Sequence, residues 1–369
     1  MQVCKRCVMD NRSDRTITFS EDGTCNYCSG TLHRMSSEYF PNELGEKMLN
    51  NIMDKIKAEG RGKEYDCMVG VSGGLDSSYV VYLGYKYGLR MLAVHIDDGL
   101  DTEVSVRNIN NLCEKARVRI VSIKPHLDQY KDLTRSFFLA RVPNLAMPQD
   151  NLLKAALNDT AKKYNLRYRL SGANFALECI LERSMGINPF DRKHIIAVHK
   201  QFGKGNIDKL RIAGFYEAYI HNRYFNQSIN VLPLNMIDYN LKNALTQLSI
   251  FCDYNYYGGK HYESILTRFL QCYYLPVKYG IDKRKSHFSS MIISGQMTRA
   301  EALAQLSKDS YINNELKEYD FNFMADYLGM TREEFDNLMD LPPKQHQDYP
   351  LSSINNFAGL ARKFRKYLG

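Results

Sequence analysis

Short apolar runs alternate with stretches of helical periodicity through the middle of the chain. Four runs have the length and composition of buried strands, at residues 66–71, 89–96, 119–124 and 168–172. Three stretches repeat apolar residues at helical spacing, at residues 76–88, 102–117 and 149–165. Strands that alternate with helices predict an α/β fold with a doubly wound parallel sheet.

The apolar positions also predict which helix faces are buried. In the stretch 102–117 the predicted inner face holds Val106, Ile109, Leu112, Cys113 and Ala116. In the stretch 149–165 it holds Leu152, Leu153, Ala156, Leu157 and Ala161. Residues 304–369 have a helical pattern with a proline-rich break. We therefore divide the chain into a cysteine-rich segment (1–36), an α/β domain (37–240) and a mostly helical C-terminal substrate region (241–369).

Composition narrows the class of protein. The 369 residues are 44% hydrophobic and 24% charged, which is ordinary for a globular protein, and the net charge is +8. No run approaches the roughly 18 apolar residues of a membrane span, and the N-terminus lacks an apolar signal core. We expect a cytoplasmic protein that does not bind membranes. The positive charge suits an anionic partner, which a nucleotide, a nucleotide-sugar or an RNA would satisfy equally.

Four of the nine cysteines have metal-ligand spacing. Cys4 and Cys7 form one C-x-x-C pair, and Cys25 and Cys28 form a second. Two such pairs predict a tetrahedral thiolate site for Zn²⁺, and four protein ligands leave no open position for substrate, so the zinc is expected to be structural. An iron–sulfur cluster is the alternative. The residues between the pairs, 8–24, have the pattern of a hairpin.

A glycine-rich turn follows the first apolar run. Residues 69–83 read VGVSGGLDSSYVVYL, so Ser72-Gly73-Gly74 joins a predicted strand to a predicted helix. Glycines there allow backbone N–H groups to converge at the positive end of a helix, which is an anion-binding arrangement. No Gly-Lys-Ser/Thr follows, which excludes a Walker A loop, and the spacing is not G-x-G-x-x-G.

The segment SGGLDSS resembles the pyrophosphate loop of the PP-loop ATP pyrophosphatases, whose fold is of the adenine nucleotide alpha hydrolase type. The resemblance implies that ATP is cleaved between its α and β phosphates. It places Asp76 on Mg²⁺, and Ala93 to His95 beside the adenine. Gly172 lies in a turn at the same predicted edge of the sheet. The residues expected to bind pyrophosphate are Ser72, Gly73, Gly74, Ser77 and Ser78.

Two classes within this superfamily fit the chain. A tRNA thiolase is the alternative reading, because such enzymes often carry N-terminal zinc knuckles and this chain is basic. However, the sequence has no cysteine between Cys113 and Cys179, where thiolases usually carry catalytic or cluster-binding cysteines, and no RNA-binding module is recognisable. We therefore favour an amidating enzyme, and we expect no nucleic-acid partner.

The amidating class can be narrowed by resemblance. The opening CKRCVMDNRSD…DGTCNYC and residues 256–303 resemble N-acetyl sugar amidotransferases of bacterial surface-polysaccharide pathways, such as LPS O-antigen synthesis. The segment SGANFALE is similar to an acidic segment of asparagine synthetase, with Glu178 at the acidic position. The implied reaction adenylates the acetamido oxygen of an N-acetyl sugar, which is expected to be nucleotide-linked, for example to UDP. Ammonia then displaces AMP and leaves an acetamidino group.

The resemblance also suggests roles for individual residues. Lys278 is expected to neutralise the ATP phosphates, and Glu178 to bind metal or orient ammonia. A predicted sugar site comprises Lys260, His261, Glu263 and Arg284. Residue 2 is Gln and not the Cys of an N-terminal-nucleophile glutaminase, and a triad-type glutaminase would need about 200 further residues, so we expect ammonia to come from outside the chain. It is either free ammonia or the product of a separate glutaminase, in a pair like the two subunits of imidazole glycerol phosphate synthase.

Overall fold

The architecture was analysed in a computed structural model that describes residues 1–183, 187–221 and 228–353. The last part of the predicted C-terminal helical region, residues 354–369, lies outside these ranges. Within them, no helix is both long and apolar enough to cross a lipid bilayer.

The centre of the fold is a parallel sheet of five strands in the described residues, ordered β3-β2-β1-β4-β5. The strands are Cys67–Gly70 (β1), Met91–Ile96 (β2), Arg119–Ile123 (β3), Tyr168–Leu170 (β4) and Ile229–Val231 (β5). The predicted doubly wound parallel sheet is thus confirmed, and the strand order reverses direction at β1. The sequence analysis did not predict β5.

Helices surround the sheet in the first two thirds of the chain. They are Asn26–Glu38 (α1), Glu43–Gly60 (α2), Leu75–Lys86 (α3), Glu103–Ala116 (α4), Leu127–Ala140 (α5), Met147–Lys163 (α6), Phe175–Glu178 (α7) and Arg192–Phe202 (α8), followed by a π-helix at Tyr216–His221. Helix α5 was not predicted. The predicted inner face of α4 is wrong at one position, because Val106 is 43% exposed whereas the other four residues are buried.

The C-terminal region is mostly helical in its described part, as predicted. Its α-helices are Leu241–Cys252 (α9), Ile265–Phe269 (α10), Leu275–Tyr279 (α11), Arg284–Ile293 (α12), Arg299–Leu306 (α13), Asn314–Tyr327 (α14) and Arg332–Asp340 (α15). A π-helical turn, Leu270–Tyr274, joins α10 to α11, and 3₁₀ turns lie at Pro233–Met236 and His346–Asp348.

Apolar side chains form two large cores. One contains the sheet, α3, α4 and the four N-terminal cysteines. The other packs α5 and α8 against the C-terminal helices, and the rings of Phe138 and Phe269 lie 6.0 Å apart within it. Because this second core contains side chains from both sides of residue 240, the C-terminal helices are held firmly against the α/β layer. The predicted domain boundaries themselves stay a prediction.

Of the hairpin predicted between the two cysteine pairs, the structure has a short antiparallel pairing around the turn at residues 21–23. Phe19 bridges Cys25, the Ser20 N–H donates to the Thr24 carbonyl, and the Asn26 N–H donates to the Thr18 carbonyl. The rest of the segment forms no strand. Local polar contacts replace a ladder: Asp10 accepts hydrogen bonds from the backbone of Arg12 and Ser13. Side chains that bond their own backbone in this way favour turns over strands.

Candidate active site

The SGG turn lies between β1 and α3, as the sequence predicts. Gly73 has a φ of +75°, and a Cβ there would lie 2.5 Å from the carbonyl oxygen of Ser105. Both the left-handed backbone and the nearby α4 wall therefore require glycine at this position. The turn delivers its backbone N–H groups to the N-terminus of α3, where the helix dipole favours an anion.

Hydrogen bonds within the turn and from two tyrosines fix its shape. The Ser77 hydroxyl donates to the Gly74 carbonyl at 3.1 Å, and the Gly74 N–H donates to the Ser72 hydroxyl at 3.2 Å. The Tyr254 hydroxyl donates to the Gly73 carbonyl at 3.0 Å, and the Tyr257 hydroxyl accepts from the Leu75 N–H at 3.1 Å. The turn is thus preorganised by the C-terminal region.

Gly172 lies directly beside the turn at the end of β4. A Cβ at this residue would lie 2.8 Å from the backbone nitrogen of Ser77. Glycine therefore leaves space next to the first turn of α3. Ser77 and Gly172 line the same cavity, whereas Ser78 is buried beneath it and is 1% exposed.

Charged side chains meet just outside the turn in what we call the carboxylate cluster: Asp76, Glu178, Lys260, His261 and Glu263. The Lys260 ammonium lies 2.9 Å from Asp76 Oδ2 and 2.9 Å from Glu178 Oε1. The other Asp76 oxygen accepts a 2.5 Å hydrogen bond from the Tyr239 hydroxyl. Residues from α3, α7 and the loop before α10 are thus joined at one point.

His261 and Glu263 complete the cluster. His261 Nε2 lies 3.5 Å from Glu178, and its Nδ1 lies 3.6 Å from Glu263. Its φ of +64° is a strained conformation for a residue other than glycine, and such strain often occurs at functional sites. The buried Oε2 of Glu263 has no hydrogen-bond partner among the described residues.

The cluster shifts the proton affinities of its members. Burial would lower the pKa of His261, but hydrogen bonds to Glu178 and Glu263 raise that pKa to about 9. Burial would raise the pKa of Glu178, yet His261 and Lys260 hold it well below its usual range. Near neutral pH, Glu178 is thus ionised and His261 carries a proton.

The donor set fits a magnesium ion. Three carboxylates come together beside an anion-binding turn, and the unpartnered Glu263 oxygen is a hard ligand of the kind that Mg²⁺ prefers. Asp76 and Glu263 would hold the ion, which would neutralise charge on the phosphates. The sequence predicted this role for Asp76, whereas Glu263 was assigned to the sugar site.

Two adjoining cavities meet at the cluster. The smaller, about 230 Å³, is lined by the SGG turn and the cluster. The larger, about 1170 Å³, shares Glu178, Tyr256, Lys260 and His261 with it and extends between α11, α12 and α14. One opening therefore leads from the anion-binding turn to a space large enough for a second ligand.

The remaining predicted site residues are not at the turn. Lys278 lines neither cavity and donates to the carbonyl of Leu341, so Lys260 occupies the position at the cluster that was expected of Lys278. Ala93 is buried in β2, and His95 contacts the Val71 carbonyl and Asp101. Arg284 lines the larger cavity, but its guanidinium is paired with Asp282.

The tyrosines are the site residues that the sequence analysis did not assign. Tyr239 contacts Asp76, Tyr254 and Tyr257 hold the turn, and Tyr256 lines both cavities. The cluster of tyrosines beside Gly258-Gly259 is the only signal for them in the sequence, and it indicates neither their partners nor Tyr239.

The four N-terminal cysteines come together as predicted, and their ligand atoms all lie within 4.8 Å of one another. The Cys4–Cys28 and Cys7–Cys25 sulfur distances are 3.9 and 3.8 Å. Four bonds of about 2.3 Å around one tetrahedral ion give sulfur–sulfur distances of about 3.8 Å. The geometry therefore fits a single zinc ion.

Comparison with known families bears on the larger cavity. Residues 263–362 match the family model described as "LPS biosynthesis protein WbpG-like, C-terminal domain". The match confirms the predicted resemblance to surface-polysaccharide enzymes over this region, and it includes α10 to α15 and most of the wall of the larger cavity. A comparison with curated proteins finds no match.

Two solved structures are similar over much of their length. NMN synthetase from Francisella tularensis is 14% identical, with a TM-score of 0.38, and the match covers 83% of this chain and 98% of that one. NH3-dependent NAD synthetase from Campylobacter jejuni is 17% identical, with a TM-score of 0.29, and the match covers 56% and 95%. Because both TM-scores are below 0.5, neither likeness carries information about the function of this chain.

Proposed function

We propose that the protein is an ATP-dependent amidotransferase that converts the acetamido group of an N-acetyl sugar into an acetamidino group. One observation carries the proposal: two cavities open onto the same carboxylate cluster. One is the smaller cavity at the anion-binding SGG turn, and the other is the larger cavity, most of whose wall lies in the region that matches the WbpG-like family model. A phosphate donor in the smaller cavity and an acceptor in the larger would then meet at Lys260 and Glu178.

In the first step the acetamido oxygen attacks the α-phosphorus of ATP. The bond to the β-phosphate breaks, and pyrophosphate stays in the turn formed by Ser72, Gly74 and Ser77. Lys260 lines the same cavity as this turn, and it would exchange its contacts with Asp76 and Glu178 for phosphate oxygens. Positive charge placed where negative charge develops lowers the barrier.

In the second step ammonia attacks the carbon of the activated group, and AMP leaves. An unactivated amide resists this attack because its oxygen is a poor leaving group, whereas adenylation makes the oxygen part of AMP. The product amidine carries a positive charge near neutral pH. Glu178, ionised and adjacent to both cavities, is placed to stabilise that charge.

The larger cavity supports a substrate bigger than a free monosaccharide. Its outer wall holds polar and cationic side chains suited to a phosphorylated carrier, among them Lys308, Asn313, Asn314 and Lys317, and Tyr256 offers an aromatic surface near the cluster. A UDP-linked sugar would extend along this wall and place its acetamido group at Lys260.

A separate glutaminase as the source of ammonia remains part of the proposal. A pull-down from a native lysate, followed by comparison of glutamine and ammonium as nitrogen donors, tests it. Full activity with ammonium together with recovery of no glutaminase would contradict it.

The larger cavity gives little support to the alternative that the protein is a tRNA thiolase. Cys272 lines the larger cavity, but burial raises the pKa of its thiol to about 11, and its sulfur lies 2.9 Å from the Tyr262 hydroxyl. A thiol with so high a pKa is a weak nucleophile near neutral pH.

Pyrophosphate release from ATP–Mg²⁺ and ammonium tests the proposal. A panel of UDP-linked acetamido sugars would be compared with bulk tRNA, and every reaction repeated with the Asp76→Ala protein. Sugar-dependent formation of pyrophosphate and AMP, lost in the variant, is the expected result. Stimulation by tRNA alone would overturn the proposal in favour of RNA modification.

The Lys260→Ala variant separates two roles for this lysine. If Lys260 acts on the phosphates, kcat falls because charge in the transition state is no longer neutralised. If it contacts the sugar, as the sequence predicted, the KM for the sugar rises. An unchanged KM would reject the sugar contact.

A further inference from the structure

Tyr239 lies between the 3₁₀ turn Pro233–Met236 and α9, and its hydroxyl donates to Asp76 Oδ1 at 2.5 Å. The two oxygens of Asp76 have partners of different kinds. The Lys260 ammonium, 2.9 Å from Oδ2, lines the smaller cavity, whereas Tyr239 lines neither of the two cavities. The Asp76 carboxylate is therefore anchored to the protein interior through Oδ1 and faces the cavity through Oδ2.

Packing and hydrogen bonds fix the position of the Tyr239 hydroxyl. The residue is 1% exposed, and its ring lies 5.3 Å from the ring of Tyr79. Gln296, between α12 and α13, donates to the Tyr239 carbonyl at 2.8 Å and accepts from the Leu241 N–H at 3.2 Å. Because a tyrosine side chain has only two main torsions, a held backbone and a packed ring leave its hydroxyl little freedom.

A fixed donor matters because an aspartate carboxylate rotates easily. The torsion that turns the carboxylate has broad minima, so an unsupported Asp76 would present its oxygens over a range of directions. One hydrogen bond to Oδ1 restricts this rotation, and it leaves the acceptor sites of Oδ2 available. Carboxylates that bind metal ions are commonly supported by a hydrogen bond of this kind.

We propose that Tyr239 is a positioning residue for the magnesium ion: its hydroxyl holds the Asp76 carboxylate so that Oδ2 is available to Mg²⁺ once Lys260 has moved to the phosphates. The inference rests on the proposed function, in which the ion neutralises phosphate charge. Tyr239 acts through Asp76 and does not contact the substrates. A buried tyrosine hydroxyl also needs a partner for its own sake, so the test has to separate these two roles.

Tyr239→Phe removes the hydroxyl and keeps the ring. The matched control is Tyr79→Phe. Tyr79 is buried on α3 beside the Tyr239 ring, and its hydroxyl donates to Gln247 Oε1 at 3.0 Å. The control therefore loses a similar hydrogen bond from the same group of tyrosines, but it keeps the bond to Asp76.

Calorimetry measures the affinity of each protein for α,β-methylene ATP with and without Mg²⁺, and the ratio of the two dissociation constants reports the metal contacts. This gain in affinity should be about tenfold smaller in Tyr239→Phe, since losing a partner of a metal ligand usually costs about 10–100-fold. The control should keep the gain of the unmodified protein.

The Mg²⁺ dependence of pyrophosphate release gives a second readout, with the UDP-linked acetamido sugar that supports the fastest release. In Tyr239→Phe the half-saturating Mg²⁺ concentration should rise about tenfold, by the same loss of metal affinity, whereas the rate at saturating Mg²⁺ should stay within about threefold. Urea unfolding establishes that both variants are folded at the assay temperature.

The inference is overturned if Mg²⁺ strengthens binding equally in Tyr239→Phe and the unmodified protein, because Asp76 would then only satisfy a buried hydroxyl. It is also overturned if both variants lose the same gain, which would show a general loosening of the tyrosines, or if Mg²⁺ gives no gain in the unmodified protein. Failure of the proposed function is distinguishable, because the calorimetry needs no acceptor: Mg²⁺ would still strengthen binding, but no sugar would stimulate pyrophosphate release.

Discussion

Two groups of charged side chains in the same chain are built in opposite ways. Arg268 and Asp320 form a closed pair: the guanidinium donates twice, at 2.8 and 2.5 Å, and Tyr311 adds a third hydrogen bond to the carboxylate. Asp320 is fully buried. The carboxylate cluster is open. Lys260 makes only one contact with each of Asp76 and Glu178, and one oxygen of Glu263 has no hydrogen-bond partner among the described residues.

The difference separates charged groups that are satisfied within the fold from charged groups that can still bind a ligand, even though no ligand is bound. In the closed pair each charge is matched by its partner inside the protein, and no buried atom of Arg268 or Asp320 lacks a hydrogen bond among the described residues, so nothing there indicates a ligand. An open cluster retains strain at His261 and an unsatisfied oxygen, and both become favourable only when a ligand supplies the missing contacts.

The largest expected effect concerns another closed group, the four cysteines. Removing zinc with a chelator, or substituting Cys25→Ser, should lower the free energy of unfolding by about 5 kcal/mol or more, since structural zinc contributes folding energy directly. The cysteine segment also contacts α12 and α13, where Arg299 donates to the carbonyls of Cys4 and Cys7.

Chemical denaturation and metal analysis check this prediction. Cys252→Ser is the matched control, because Cys252 is buried outside the cysteine site and donates to the Leu248 carbonyl, as serine also can. One zinc per chain in the control and none in Cys25→Ser are expected. Equal zinc content and equal stability in both variants would contradict the assignment.

The next effect separates the closed pair from the open cluster. Asp320→Asn should cost about 3–5 kcal/mol of unfolding free energy, because it leaves the Arg268 guanidinium buried without its counter-ion. Asp76→Asn should cost under about 1 kcal/mol, since its partner Lys260 can still pair with Glu178. Urea unfolding of both variants gives the comparison, and equal losses would refute it.

Activity should respond in the reverse order. Asp76→Asn should reduce the rate of pyrophosphate release about 10²–10³-fold, because a carboxylate that would hold Mg²⁺ against the phosphates is lost. In Asp320→Asn the rate per folded molecule should stay near that of the unmodified protein. Steady-state assays below the melting temperature measure both. Comparable rates in the two variants would remove the functional distinction.

The smallest expected effect is a pH dependence of stability. His346 Nδ1 lies 2.9 Å from His194 Nε2, and His346 Nε2 accepts from the Asn144 N–H, so both rings are neutral. Burial, with a contribution from His194, lowers the pKa of His346 to about 3, and burial also lowers the pKa of His194. Because the folded state disfavours protonation, this contribution is fully present above pH 6.5 and is lost below it.

Between pH 6.5 and 5 the free energy of unfolding should fall by up to about 1.4 kcal/mol per pH unit for each histidine. His346→Gln should flatten this slope. Denaturation at several pH values measures it, and a slope that is identical in the variant would show that the pair does not titrate as described.

The sequence predicted what depends on local pattern. Parallel strands, the SGG turn at the N-terminus of α3 and the cysteine site follow from short-range spacing, and all three are present. What it missed depends on long-range packing. Lys260 and Glu263 reach the SGG turn because the loop that carries them is bonded to the β2–α4 segment, where the Thr102 N–H donates to the Glu263 carbonyl. No local pattern encodes that contact.

The assignment of Lys278 shows the same limit. An analogy chose a lysine in a basic stretch, but in the structure the end of that side chain contacts the carbonyl of Leu341. The sequence analysis assigned Lys260 to the sugar site, and nothing in its surroundings in the sequence indicates a pairing with Asp76, which is 184 residues away.

Transfer of oxygen from the acceptor to AMP tests the central claim most directly. A UDP-linked sugar whose acetamido oxygen is ¹⁸O would be incubated with ATP–Mg²⁺, ammonium and the protein, and the AMP analysed by mass spectrometry. If the open cluster adenylates the acetamido group, the AMP phosphate carries one ¹⁸O and the sugar product carries none at that position. AMP free of label, formed while the sugar retains its ¹⁸O, would contradict the account.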